Sequence, residues 1–130
     1  MTPESAAIAE AFSRPVRAAG LEVRSGQVTE PMMVQVAVTD SRKGGHLVAL
    51  FEAATNDYVG VWLDNGADFW EHEWHQPGRE EFAAELGGVV VAHVAGDGTY
   101  EKGGRHYRVT VGDGSIRTRF RVDRERVLEL

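Results

Sequence analysis

Apolar residues recur at helical spacing mainly near the start of the chain. Ile8, Ala11, Phe12 and Val16 fall on one helical face. Thr2-Pro3-Glu4 supplies the start of that helix: a hydroxyl N-cap, proline at the first helical position and an acid in the first turn. Pro15 removes a backbone donor and predicts a kink or an end near Ser13, and Gly20 stops whatever remains. The spacing predicts one amphipathic helix over roughly 3–18.

From Leu21 the period changes to two. Residues 21–24 read as a short strand closed by a turn or bulge at Ser25-Gly26. Residues 32–39 alternate well, with Met32, Val34, Val36 and Val38 on one side. Residues 46–53 and 58–63 are enriched in β-branched and aromatic side chains and read as two further strands. Joined by short turns, these strands must run antiparallel. Asn65-Gly66 is the strongest hairpin signal, so residues 67–74 return along 58–63 until Pro77-Gly78.

Residues 79–86 predict a short helix, with Phe82 and Leu86 on its buried side and Gly87-Gly88 closing it. Val89 to Val94 is nearly continuous in apolar character and reads as a central strand covered on both faces. A glycine-rich connection follows, with a hairpin around Asp97-Gly98. Tyr107, Val109 and Val111 then share a side with Ile116, Thr118, Phe120 and Val122 if 111 pairs with 116, 109 with 118 and 107 with 120. The other side of that hairpin presents His106, Arg108, Arg117, Arg119 and Arg121. The tail after Asp123 fits a strand or a helical turn equally well. The pattern as a whole predicts the α+β class: one domain over 1–130, with a single curved antiparallel sheet of about seven or eight strands. An N-terminal helix and one short inserted helix pack on that sheet.

Composition narrows the chemistry. There is no cysteine, which excludes disulfides and thiolate metal sites. Thr2-Pro3-Glu4-Ser5 has no basic or apolar leader character, and the aliphatic run Val89 to Ala92 is too short to span a bilayer. The expectation is a soluble cytoplasmic protein. The net charge of −6 is unevenly spread: nine acids stand against Arg79 alone in residues 52–85, while residues 105–130 carry seven arginines against four acids. An acidic chain argues against nucleic-acid binding, which needs a positive surface, and favours a basic protein partner. The arginines of the last hairpin fit an anion site or, better, neutralisation of the acidic segment.

Residues 62–78 hold all three tryptophans and two of the five histidines. Glu71-His72-Glu73-Trp74-His75 is metal-ligand material, but its histidines are one residue too close for the zincin motif. A strand also splits His72 from Glu71, Glu73 and His75, so no metal and no cofactor are expected. Two hairpin registers fit this stretch. A two-residue turn pairs 62 with 69 and gathers Tyr58, Gly60, Trp62, Phe69, Glu71, Glu73 and His75 into an aromatic–acidic platform, with Trp70, His72 and Trp74 on the core side. One residue more in the turn pairs 62 with 70 and gathers Tyr58, Gly60, Trp62, Trp70, His72 and Trp74 instead.

No nucleophile elbow or phosphate loop is present. These features predict a non-enzymatic protein-binding module: an acidic inhibitor, immunity-type or chaperone-like protein that meets a basic partner through Tyr58, Trp62, Phe69, Glu71, Glu73 and His75. The alternative is a small-molecule site or small enzyme, with a pocket between sheet and helices. Trp70, Trp74, Tyr107 and Phe120 would line it around His72, with Asp57 or Glu52 as acid–base partner. The oligomeric state is left open by the sequence.

Overall fold

The structure, a computed structural model, describes residues 2–29, 32–54, 58–111 and 116–123. Two helices, α1 (Pro3–Ala18) and α2 (Gln76–Val94), accompany eight strands. The strands are β1 (Glu22–Thr29), β2 (Met32–Asp40), β3 (His46–Ala54), β4 (Tyr58–Leu63), β5 (Ala67–His72), β6 (Gly98–Glu101), β7 (His106–Val111) and β8 (Ile116–Val122). They form one antiparallel sheet in the order β1-β2-β3-β4-β5-β8-β7-β6. The α+β class, the single antiparallel sheet and the N-terminal helix match the reading of the pattern; of the three strands read after the second helix, β7 and β8 are found, and β6 stands in place of the one read at 89–94. The tail after Asp123 lies outside the described residues, as do Asp57 and the loop between β7 and β8.

Helix α1 begins as its residues dictate. Thr2 is the N-cap, its Oγ1 accepts from the Ser5 amide at 3.1 Å, and Pro3 fills the first position. The helix runs through Pro15 to Ala18 rather than ending near Ser13. The buried Ser13 hydroxyl donates to the Ala9 carbonyl at 2.7 Å. Ile8, Phe12 and Val16 are fully buried on one face, and the Phe12 ring stacks on Phe51 of β3 with centroids 4.3 Å apart.

Helix α2 departs most from the pattern. It is one helix of 19 residues, so the predicted short helix and the predicted strand at 89–94 are two halves of the same element. The Gly87-Gly88 pair sits inside it. A Cβ on Gly87 would overlap the Phe12 carbonyl oxygen of α1 and stand 2.7 Å from Pro15 Cγ. A Cβ on Gly88 would stand 3.0 Å from Val111 of β7. The glycines therefore mark a crossing against α1 on one side and the sheet on the other. A helix buried on two sides has no single apolar stripe, which is why its second half reads as a buried strand.

Both helices lie on one face of the sheet. Phe51, Val61, Phe69, Tyr107 and Val111 share that face by register, and the core joins them to α1 and α2. The helices run side by side in the same direction. Their first turns share one groove, lined by Thr2, Ser5, Ile8, Trp74, Gln76 and Arg79. Their last turns share a cleft of about 390 Å³, where Ala19, Leu21, Val91 and Val94 meet Arg42 and Lys43. No helix among the described residues is long and apolar enough to cross a membrane.

Three strand details correct the pattern. β1 passes through Ser25-Gly26 without a turn. The last hairpin but one turns at Lys102-Gly103-Gly104, between β6 and β7, rather than at Asp97-Gly98. The β4–β5 loop has three residues, Asp64-Asn65-Gly66, with the Gly66 amide donating to the Leu63 carbonyl at 3.1 Å. Only Gly66 in that loop has positive φ, at 86°, so the turn is a three-residue loop with glycine in the left-handed position and not the two-residue turn. The β7–β8 register is as predicted: 107 with 120, 109 with 118 and 111 with 116.

Candidate functional site

The three-residue loop decides which aromatics share a face. Trp62 stands opposite Asp68, Gly60 opposite Trp70 and Tyr58 opposite His72. Tyr58, Gly60, Trp62, Trp70 and His72 thus lie together on the side of the sheet away from the helices, the grouping of the second register though not its exact pairs. Phe69 and Glu71 lie on the helix side: Phe69 meets Phe82 of α2 edge-on with centroids 5.8 Å apart, and Glu71 is exposed at the rim opposite Val59. The platform that combined Phe69, Glu71 and Trp62 is therefore divided between two faces, because one residue more in the turn inverts the parity of every residue after it.

Other members of the two predicted sets fall elsewhere. Glu73 accepts from the His75 amide at 3.1 Å, and its carboxyl lies where a Cβ on Gly78 would be, 2.8 Å from Cδ. It brings negative charge to the first turn of α2, where the dipole favours it. His75 is the N-cap residue of α2 and makes no side-chain cap bond. Trp74, 75% exposed, leaves the sheet and edges the groove shared by the first turns of the helices. Trp70 and His72 point away from the helices while Tyr107 points toward them, so the proposed pocket lining of Trp70, Trp74, Tyr107 and His72 does not assemble. Phe120 pairs with Tyr107 in register; its side chain lies outside the described residues.

On the helix-free face the side chains of Tyr58 and Trp70 close over Gly60. A Cβ on Gly60 would come 2.6 Å from Trp70 Cβ and 2.9 Å from the Tyr58 hydroxyl, so only glycine lets Tyr58 and Trp70 close over this strand. The Tyr58 ring sits 5.6 Å from Trp70 and 6.0 Å from Trp62, and Trp70 meets His72 edge-on at 5.2 Å. Trp62 is 9% exposed beneath these neighbours, whereas Trp70 remains 48% exposed. Register places Leu50 beside Trp62, Glu52 beside Gly60 and Arg121 beside Asp68 on the same face. The acids Glu81 and Glu85 are exposed on α2, in the helix layer, so most of the negative segment does not border the aromatics.

A second cluster was not legible in the sequence. Asp64, in the β4–β5 loop, accepts from two histidines: His93 Nε2 of α2 at 2.6 Å and His46 Nε2 of β3 at 3.2 Å. His93 Nδ1 lies 2.7 Å from the Tyr107 hydroxyl of β7. With Nε2–H given to Asp64, the phenol donates to Nδ1. The loop is fixed from both sides, since the Asp64 amide donates to the Val48 carbonyl at 3.0 Å and the Asn65 amide nitrogen donates to the Tyr100 hydroxyl at 3.2 Å. Val48 is the extra residue of a β-bulge opposite Val38 and Thr39, which turns that carbonyl toward the loop. The available signal was helical spacing. Phe82, Leu86, Val89/Val90 and His93 recur every three to four residues, which puts His93 on the buried side of one long helix.

Electrostatics assigns roles within this cluster. Burial pushes the Asp64 carboxyl up, but the hydrogen bonds and charges of His93 and His46 outweigh it and hold the group below the ordinary carboxylate range. Burial, with the negative charge of Tyr100, Asp64 and Asp97 nearby, pushes the Tyr107 phenol up to about 12, so it stays a donor. The Tyr107 hydroxyl is pressed against the backbone of Gly98, where a Cβ would overlap it, and the residue is 5% exposed. The Asp64–His93–Tyr107 relay thus ends on a covered hydroxyl. What it does is brace the β4–β5 loop, α2 and β7 against one another. Among the described residues no group of three or more His, Cys, Asp and Glu is placed to hold a metal ion.

Because the Asp64 carboxyl titrates lower in the fold than in the unfolded chain, its contribution is present above the unfolded value of about 4 and is lost as pH falls through the lower folded value. Asp64→Asn is therefore expected to lower the thermal midpoint at pH 6 and to flatten its fall as pH drops below about 4. Parallel melting curves of the two proteins across that window check this, and identical slopes would remove Asp64 from the acid response.

One arginine of the last hairpin forms an ion pair within the chain, and the side chains of Arg117 and Arg119 lie outside the described residues. Arg108 Nε meets Glu101 at 2.8 Å, and register sets Arg121 opposite Asp68. No family model matches this chain, and no curated protein or solved structure matches it either. The class the fold defines is an α+β protein with an eight-stranded antiparallel sheet, two parallel helices on one face and an aromatic cluster on the other.

Proposed function

We propose that this chain is a protein-binding module that receives its partner on the helix-free face of the sheet, over Tyr58, Trp62, Trp70 and His72. The observation that carries the reading is Trp70: a tryptophan 48% exposed, tilted against Tyr58 and edge-on to His72, on a sheet face that no helix covers among the described residues. Large aromatics with a polar edge are the usual anchors of protein interfaces, and here the sheet holds them rigid before contact. Glu52 and Asp68 share the face, and the chain carries −6 overall, which favours a partner whose contact segment brings arginine or lysine onto the rings. An inhibitor, an immunity-type protein or a chaperone would each use such a face.

Trp70→Ala tests the reading. Truncating an exposed anchor is expected to weaken partner capture from the native host at least tenfold, equivalent to about 1.4 kcal/mol, while the thermal midpoint moves by no more than a few degrees. Capture undiminished in Trp70→Ala, with the partner still retained at wild-type strength, removes this face from binding.

A further inference from the structure

The same face carries a second kind of surface next to the aromatics. One row crosses the sheet from Arg24 through Ala37, Leu50, Trp62, Asp68, Arg121 and His106 to Glu101. Its β3–β5 half is aromatic and acidic, with Tyr58, Trp62, Trp70, Glu52 and Asp68. Its β7–β8 half is basic, with Arg108 and Arg121, and register pairs Arg108 with Arg119. The two halves meet along the β5–β8 boundary, where Asp68 faces Arg121.

We infer that the occupant of the helix-free face is a second copy of this chain, packed sheet on sheet about a two-fold axis along the β5–β8 boundary. This rests on the binding-face reading above and names its partner. Such an axis sets β4 and β5 of each copy over β7 and β8 of the other. Each aromatic–acidic half then lies on a basic half, twice, as an isologous interface requires. Arginine is the side chain suited to lie over tryptophan and tyrosine rings, and Asp68 of each copy comes opposite Arg121 of the other.

The area is adequate. The six strands that overlap about this axis, β3-β4-β5 and β8-β7-β6, lie about 4.8 Å apart and are roughly 17–20 Å long, so they offer on the order of 500 Å² per copy and about 1,000 Å² in all, the lower limit for a specific interface. Two sheets in this arrangement bury their facing side chains in a layer about 10 Å thick, and the helices of both copies end up outside. The layout also gives the acidic module its basic partner without a second protein: Arg108 and Arg121 of one copy serve the rings of the other.

The test is the mass of the full chain by sedimentation equilibrium over a concentration series reaching about 300 µM, for the wild type and three variants. The expected result is a two-chain species whose dissociation constant rises at least tenfold in Trp70→Arg and about threefold or more in Arg121→Ser, with Trp74→Arg unchanged. Circular dichroism confirms that each variant is folded; Trp70 and Arg121 are both exposed, and Arg121→Ser keeps the test intact if Trp70→Arg disturbs the strand. A single-chain mass across the whole series overturns the inference. A two-chain mass indifferent to both face variants overturns it as well. The two readings separate cleanly: a monomer whose capture of another protein still depends on Trp70 loses the second copy but keeps the binding face, whereas a dimer and a capture that both ignore Trp70 lose both.

Discussion

Phe51→Ala is expected to remove about 3–5 kcal/mol of stability, a large part of the 5–15 kcal/mol typical of such a domain. Phe51 is fully buried, stands between Val36 and Val61 in the sheet and carries the Phe12 ring of α1 stacked upon it. Its truncation loses the transfer energy of the ring, the stacked pair and the contacts of a cavity that α1 cannot fill without moving. Urea unfolding at fixed pH measures the loss. A change under 1 kcal/mol would mean that α1 does not rest on β3 here.

The second large effect has the opposite sign to ordinary helix behaviour. In an exposed helix interior, glycine to alanine stabilises by about 1 kcal/mol. At Gly87 the added methyl meets the Phe12 backbone carbonyl and Pro15, and neither is the end of a flexible side chain. Gly87→Ala is expected to destabilise by about 1–2 kcal/mol net, and Gly87→Val by about 3 kcal/mol or more, because the two helices must separate. The same urea series reads both. Stabilisation by alanine would place Gly87 away from α1 and break the parallel pairing of the helices.

These two residues also divide what the sequence made legible from what it did not. Around Phe51 the alternation is clean and one face is buried, so strand type, direction and partners follow from period two. At Thr2-Pro3 the cap chemistry is local, and the helix begins where those residues place it. Around Gly87 the information is not local. A helix buried against both α1 and the sheet has no single apolar stripe, and a glycine pair required for close approach has the same sequence appearance as a helix stop.

The binding face shows the same limit at finer scale. Residues 58–63 and 67–72 were readable as a hairpin, but whether Trp62 keeps company with Phe69 or with Trp70 depends on one residue of loop length. Asn65-Gly66 suits the two-residue turn, yet Asn65 is not left-handed and its side-chain oxygen instead accepts from the Ala67 amide at 3.1 Å. That bond, with the Asp64 amide on the Val48 carbonyl, supports the longer loop. The Asp64 cluster was hidden for a different reason. Its members come from β3, a loop, α2 and β7, so helical spacing can place His93 on the buried side of α2 but no spacing brings the four together.

With three tryptophans in three different settings, the chain carries its own reporters for the central claim. Three indole N–H resonances of the nitrogen-15-labelled protein, assigned by single replacement, are followed while the captured partner is titrated in and while the protein alone is concentrated. If the helix-free face is the binding surface, the Trp70 resonance shifts or broadens in at least one of these titrations, with Trp62 following it. Trp74, in the groove beside α1, stays in place. Movement of Trp74 alone, with Trp62 and Trp70 fixed under both conditions while the partner demonstrably binds, would contradict the account.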